Sequence, residues 1–170
     1  MPKAAKVTKK APAKTTKKPA KASAKTLTKK AIKPVRVKIC VDFSRFPDNT
    51  PLGPTYTQAG FTFTQLGPAP IMFANATAGQ IGLQFPDAGL EIRLPAPTRR
   101  VTMFFGTFGG PVTLETRNGA ALVSTQVINT ANTYKNITVS TPTPFTRLVF
   151  RGGHNEAILV RICVVYVICE

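Results

Sequence analysis

A chain of 170 residues, 43% of them hydrophobic, supplies one domain's core and not two. Its 23 Lys+Arg against 7 Asp+Glu give a formal net charge of +16, unevenly spread: residues 1–38 carry 14 of the bases and no acid, glycine or aromatic residue, whereas residues 39–170 carry 9 bases and all 7 acids. The basic N-terminus lacks both the apolar stretch of a secretory signal and the amphipathic, Arg-rich pattern of a presequence, so synthesis in the cytosol is expected. No membrane partner is expected either, because the longest apolar run, Ala157 to Cys169, is broken by Arg161 and is too short to cross a bilayer as a helix.

Residues 1–34 are expected to form a disordered polycationic tail. Pro2, Pro12, Pro19 and Pro34 interrupt any helix, and without large apolar side chains the segment cannot repay its backbone entropy. Thr8-Lys9-Lys10, Thr16-Lys17-Lys18 and Thr28-Lys29-Lys30 form an imperfect repeat, each copy followed by Ala or Pro. In this the segment resembles the C-terminal tails of linker histones and the histone-like tails of some bacterial proteins. That resemblance implies a polycation that binds nucleic acid or another polyanion by releasing counterions, without reading sequence. Lys9, Lys10, Lys17, Lys18, Lys29 and Lys30 are the candidate contacts.

From residue 35 the period changes to two. Val35, Val37, Ile39, Val41 and Phe43 point one way and Arg36, Lys38, Cys40 and Asp42 the other, which predicts a half-buried strand. Further short strands are predicted at 60–66, 71–73, 81–85, 90–94 and 101–105, with turn residues between them. The segments 112–117 and 121–128 flank Asn118-Gly119, so a type I′ hairpin is expected there, with Leu114 opposite Val123. Two more strands are expected around Ile137 with Val139 and Leu148 with Phe150. In the final strand the even positions from Ile158 to Ile168 are all apolar and are assigned to the core. Its odd face, which includes Val165 and Val167, is also mostly apolar and lacks cover in a lone sandwich, making it a candidate assembly face for a homo-oligomer. Ten or eleven short strands with no helical period predict an all-β fold, an antiparallel jelly-roll-like β-sandwich over residues 35–170.

The segment from Asp42 to Thr50 (DFSRFPDNT), followed by Tyr56 to Phe63 (YTQAGFTF), resembles the opening of lectin-like sandwich domains in bacterial surface proteins. Phe85-Pro86-Asp87-Ala88-Gly89, the strand of 101–105 and the Asn118-Gly119 hairpin follow in the family's order. What the resemblance implies is a jelly-roll sandwich and a carbohydrate ligand.

Chemistry is sparse. His154 is the single histidine, and neither a G-x-S-x-G elbow nor an H-E-x-x-H pair is present, so no enzyme is expected and no catalytic residue is assigned. Asp42, Asp48 and Asn49 supply hard oxygens within one loop, which, with Glu156, makes a structural calcium ion the candidate metal; the alternative is that they cap a turn. No other cofactor is expected. Arg99-Arg100 and Arg147 with Arg151 either extend a cationic face or are ordinary exposed sheet residues. Cys40 and Cys163 fall on the outward positions of the first and last strands, which are often antiparallel neighbours, so they are a candidate disulfide, with Cys169 left over; reduced thiols are the alternative.

The first expectation is therefore a non-enzymatic structural protein, a self-assembling jelly-roll subunit whose tail engages a polyanion or a neighbouring subunit, in the manner of a small viral coat protein. The alternatives are a carbohydrate-binding module tethered by its tail, and a nucleoid or chromatin protein with a sandwich appendage.

Overall fold

The structure, a computed structural model, describes residues 34–68 and 72–169. Eleven antiparallel strands among them build two layers that share their longest members. β7 (Leu90–Thr107) and β10 (Tyr134–Gly152) each run through both layers. In the first layer, β1 (Pro34–Asp42) pairs along β11 (Ala157–Cys169), and β11 pairs on its other side with the C-terminal half of β7, which continues to the N-terminal half of β10. β2 (Thr50–Gly53), β5 (Met72–Thr77) and β6 (Gln80–Phe85) extend this layer from the start of β11. In the second layer, β3 (Thr55–Gln58), β4 (Phe61–Gln65), the N-terminal half of β7, the C-terminal half of β10, β8 (Val112–Asn118) and β9 (Ala121–Ile128) follow in that order. The result is an antiparallel, jelly-roll-like sandwich.

Two pairs of predicted strands prove to be single strands. Each long strand carries a Pro-x-Pro where a turn was expected, Pro95-Ala96-Pro97 in β7 and Pro142-Thr143-Pro144 in β10. The prolines remove ladder donors without forcing the chain to reverse. Both corners fall between the same ladder pairs, Arg100 with Ser140 on one side and Arg93 with Arg147 on the other, so the two strands bend together from one layer into the next. At the β7 corner the Tyr166 hydroxyl accepts from the Ala96 N–H and donates to the Ala96 carbonyl, both at 3.0 Å. Two backbone groups that the sheet leaves unpaired are thereby satisfied.

The core lies between the layers. Phe85 and Phe105 of the first layer pack on Phe150 of the second, with ring centroids 5.8 and 5.5 Å from it. Phe43, just beyond β1, meets Phe63 edge-on at 5.1 Å. Val41, Leu83, Ile92, Met103 and Ile162 belong to the same core cluster as these rings, all fully or almost fully buried.

Two local registers differ from expectation. In β11 the ladder to β7 shifts between Leu159 and Arg161, so Val160 is an extra residue that inverts the alternation. Ala157 and Leu159 therefore point into the core together with Ile162 and Val164. Ile158 and Val160 lie on the opposite face, where they are nevertheless buried. In the hairpin, Asn118 pairs with Ala121, leaving Gly119 and Ala120 as the turn, and a register shift beyond Thr116 sets Leu114 opposite Gln126 and not Val123. Gly119 takes φ +57 and Ala120 is not left-handed, a combination suited to a type II′ turn in place of type I′.

Candidate functional site

The outer face of the first layer collects the polar alternates of its strands. On β1 the core takes Val41, with Ile39 packed against it, so the alternate residues Arg36, Lys38 and Cys40 face outward. Register carries that face across the sheet: Arg36 lies opposite Val167, Lys38 opposite Val165, Cys40 opposite Cys163 and Asp42 opposite Arg161. Cys163 is next to Thr102 on β7, which is next to Thr138 on β10, and Arg161 leads in the same way to Phe104 and Asn136. Cys40 and Cys163 are directly opposed, 4.1 Å apart at Cα, and joined by a disulfide.

Two hollows merge over this face. One of about 420 Å³ has Arg36 and Lys38 on one wall, Arg100 on the other, and Val165, Val167, Thr102 and Cys163 between them. The second, about 170 Å³, shares Lys38, Thr102 and Cys163 and runs on to Phe104, Asn136 and Arg161. The shared residues make them one shallow furrow that crosses β1, β11, β7 and β10. The Phe104 ring at its far end packs against Tyr134 in a tilted arrangement, centroids 5.5 Å apart, and Tyr134 meets Phe108 edge-on at 5.1 Å. Tyr134 lies over Gly106, where a Cβ would come within 2.8 Å of its ring, and its hydroxyl donates to the Thr77 carbonyl at 2.7 Å. Burial pushes that hydroxyl's pKa up to about 12.

Ion pairing differs between the two layers, although Arg151 on the second layer is also without an ion pair among the described residues. The three ion pairs among the described residues are all on the second layer, Arg93 and Arg147 with Glu91 at 3.1 and 3.2 Å and Arg117 with Glu115 at 2.7 Å. Arg36, Lys38, Arg100 and Arg161 are exposed and have no ion pair among the described residues. The nearest acid in register, Asp42, is already engaged: its Oδ1 accepts from the Ser44 N–H at 3.1 Å and from the Ser44 hydroxyl at 2.6 Å, capping the 3₁₀ turn Phe43–Arg45.

The other residues singled out from the sequence are dispersed. Asp48 Oδ1 accepts from the Asn49 N–H at 2.9 Å and from the Ala76 N–H at 2.6 Å, tying its loop to β5. Asn49 is left-handed, at φ +60. Glu156 sits in the loop before β11, its N–H donating to the Gly153 carbonyl. No cluster of three or more His, Cys, Asp or Glu side chains placed to hold a metal is found among the described residues. His154 is exposed in the same loop, which is held by the Asp87 carboxylate through the His154 N–H at 2.8 Å. Lys9, Lys10, Lys17, Lys18, Lys29 and Lys30 lie outside the described residues. Val165 and Val167 are 49% and 59% exposed beside the cations. Alternation could orient Arg36, Lys38 and Arg161 outward, but their convergence with Arg100, Phe104 and Asn136 depends on the strand order β1-β11-β7-β10, which no sequence signal carries. Arg99-Arg100 and Arg147 with Arg151, considered together from the sequence, separate in the fold: Arg100 borders the furrow, and Arg147 is paired on the second layer.

No protein-family model matches the chain. No curated protein matches it either. Among solved structures, a family 29 carbohydrate binding module is 14% identical, with 80% of this chain and 90% of that one covered and a TM-score of 0.41. A mutant of a family 29 module complexed with mannohexaose is 16% identical, with 80% and 93% covered and a TM-score of 0.37.

Proposed function

We propose that the chain is a non-catalytic carbohydrate-binding module whose ligand lies in the furrow on the outer face of the first layer. The observation that carries this is the composition of the furrow. Its floor is Thr102, the disulfide and two valines, its rim carries the side-chain donors and acceptors of Lys38, Arg36 and Asn136, and one partly exposed ring, Phe104, stands at the end. A sugar ring offers an apolar C–H face ringed by hydroxyls, and such a ligand is held by an apolar floor with a few directed polar groups. The furrow is open along its length, which suits an extended polymer. Affinity electrophoresis and calorimetry against a polysaccharide panel test this proposal. Asn136→Ala should weaken binding about tenfold without lowering the melting temperature, and Phe104→Ala, which also loses its packing on Tyr134, should weaken binding about tenfold in a chain that still folds. Binding that is absent, or indifferent to both changes, overturns the assignment.

A second role is favoured by the exposure of Val165 and Val167 on that same face: pairing of two copies of the chain. Sedimentation of the full-length chain decides it, since an assembly sealed by this face would exclude polysaccharide and a monomer would leave the furrow open.

A further inference from the structure

We propose that the ligand of the furrow is an acidic polysaccharide, a sugar chain bearing carboxylate or sulfate groups at intervals, held by Arg36, Lys38, Arg100 and Arg161. This rests on the carbohydrate-binding proposal above and names the class of sugar polymer.

Charge sorting is the first support. Of the four arginines on the second layer three pair with Glu91 or Glu115 and only Arg151 does not, whereas the four cations around the furrow all have no ion pair among the described residues. Asp42, the one acid in register with them, is committed to Ser44. Geometry is the second. Arg36 and Lys38 are alternate residues of β1 and stand about 7 Å apart along one wall, and Arg100 stands on β7, about 10 Å away across β11. Between them lies an uncharged strip of Val165, Val167 and the disulfide. Cations on two walls of an uncharged floor fit a chain whose body is neutral and whose anionic groups project sideways. Guanidinium and ammonium groups take both carboxylate and sulfate, Arg in bidentate fashion. The third support is continuity in sequence: residues 1–33, with 12 lysines and no acid, lead directly into β1 two residues before Arg36 begins. A polycation on the same chain raises the effective concentration of any polyanion the furrow engages.

A nucleic acid fits less well. Single strands are held by runs of rings on which successive bases stack, and Phe104 is the one ring lining either hollow. Reading a duplex requires an element that enters a groove, and the furrow is a depression in a sheet.

The test uses the full-length chain and pairs of polymers that share a backbone and differ in charge, hydroxyethylcellulose against carboxymethylcellulose and dextran against dextran sulfate, with duplex and single-stranded DNA alongside. At about 50 mM salt the charged member of a pair should bind at least tenfold tighter than its neutral partner, and the preference should shrink as salt rises, since each engaged cation releases counterions. The carboxylate and sulfate pairs show which anion is favoured. The triple change Arg36→Gln, Lys38→Gln, Arg100→Gln, all at exposed positions, should lower affinity for the charged polymers at least tenfold, with thermal melting reporting the fold. Equal binding of charged and neutral polymers overturns the acidic assignment while the carbohydrate proposal stands. Undiminished binding by the triple variant overturns it too, by placing the polyanion on residues 1–33 alone. Binding of DNA with no binding of any polysaccharide overturns both proposals.

Discussion

Gly89 takes φ +118, and a Cβ built on it would lie 2.0 Å from the Phe150 carbonyl oxygen, so neither the backbone nor the space accepts a side chain. Gly119 is also left-handed, at φ +57, but has nothing within 4 Å. Gly89→Ala should therefore lose about 3 kcal/mol or more, whereas Gly119→Ala should lose only about 1–2 kcal/mol, the cost of the left-handed backbone alone. Urea denaturation of both variants measures the difference, and equal losses would show that the β7 turn relaxes freely. Tyr134 supplies a pH dependence. Its pKa is raised from 10.0 to about 12 by burial, so in that window the folded chain keeps a proton that the unfolded chain releases. The associated stability is fully present below pH 10 and is lost as pH rises toward 12. Tyr134→Phe should flatten the alkaline fall of the melting temperature without abolishing it, because burial also raises Tyr166. At neutral pH it should cost about 1 kcal/mol through the lost hydrogen bond to the Thr77 carbonyl.

Alternation in the sequence places Val41 in the core and Arg36, Lys38 and Cys40 outside it, because β1 is regular along its whole length. The same rule misplaces the start of β11, where the extra residue Val160 inverts the pattern between Arg161, which faces outward, and the stretch before it. That stretch, Ala157 to Val160, is apolar at every position, so Ile158 and Leu159 are indistinguishable until the ladder to β7 is seen. Proline misleads in a similar way: Pro95 and Pro97 remove donors, which ends most strands, but here the Tyr166 hydroxyl, 70 residues away, satisfies the N–H and carbonyl of Ala96 between them. Beyond the bulge the alternation holds, and it gives a paired expectation. Val164 is 1% exposed and faces the core, so Val164→Lys buries an unpaired charge and should unfold the domain. Val165→Lys, one position on, should leave circular dichroism and melting almost unchanged. A tolerated Val164→Lys would mean that β11 is in the other register. The Cys40–Cys163 bond fastens β1 to β11 and closes a loop spanning 123 residues. Cys40→Ser with Cys163→Ser should cost about 2–4 kcal/mol, read as a lower melting temperature that reductant reproduces in the parent chain but not in the variant.

The layers are not separable halves. β7 and β10 pass through both, so a segment of either layer cannot melt without loosening the other, and one calorimetric transition with equal van't Hoff and calorimetric enthalpies is expected for residues 34–169. Removing residues 1–33, which carry almost no large apolar side chains, should shift the melting temperature by less than about 5 °C. A larger fall would show that the N-terminal residues contribute packing.

Among the described strands β1 is made first, and its ladder partner β11 is made last. At about 5–20 residues per second the 123 residues between Cys40 and Cys163 take roughly 6 to 25 s to synthesise. Throughout that interval the nascent chain carries a strand with no neighbour and a thiol with no counterpart. An unpaired strand invites pairing with another chain, and charged side chains along it are a common defence. Arg36 and Lys38, exposed along β1, are charges of the kind that discourage such pairing until β11 emerges.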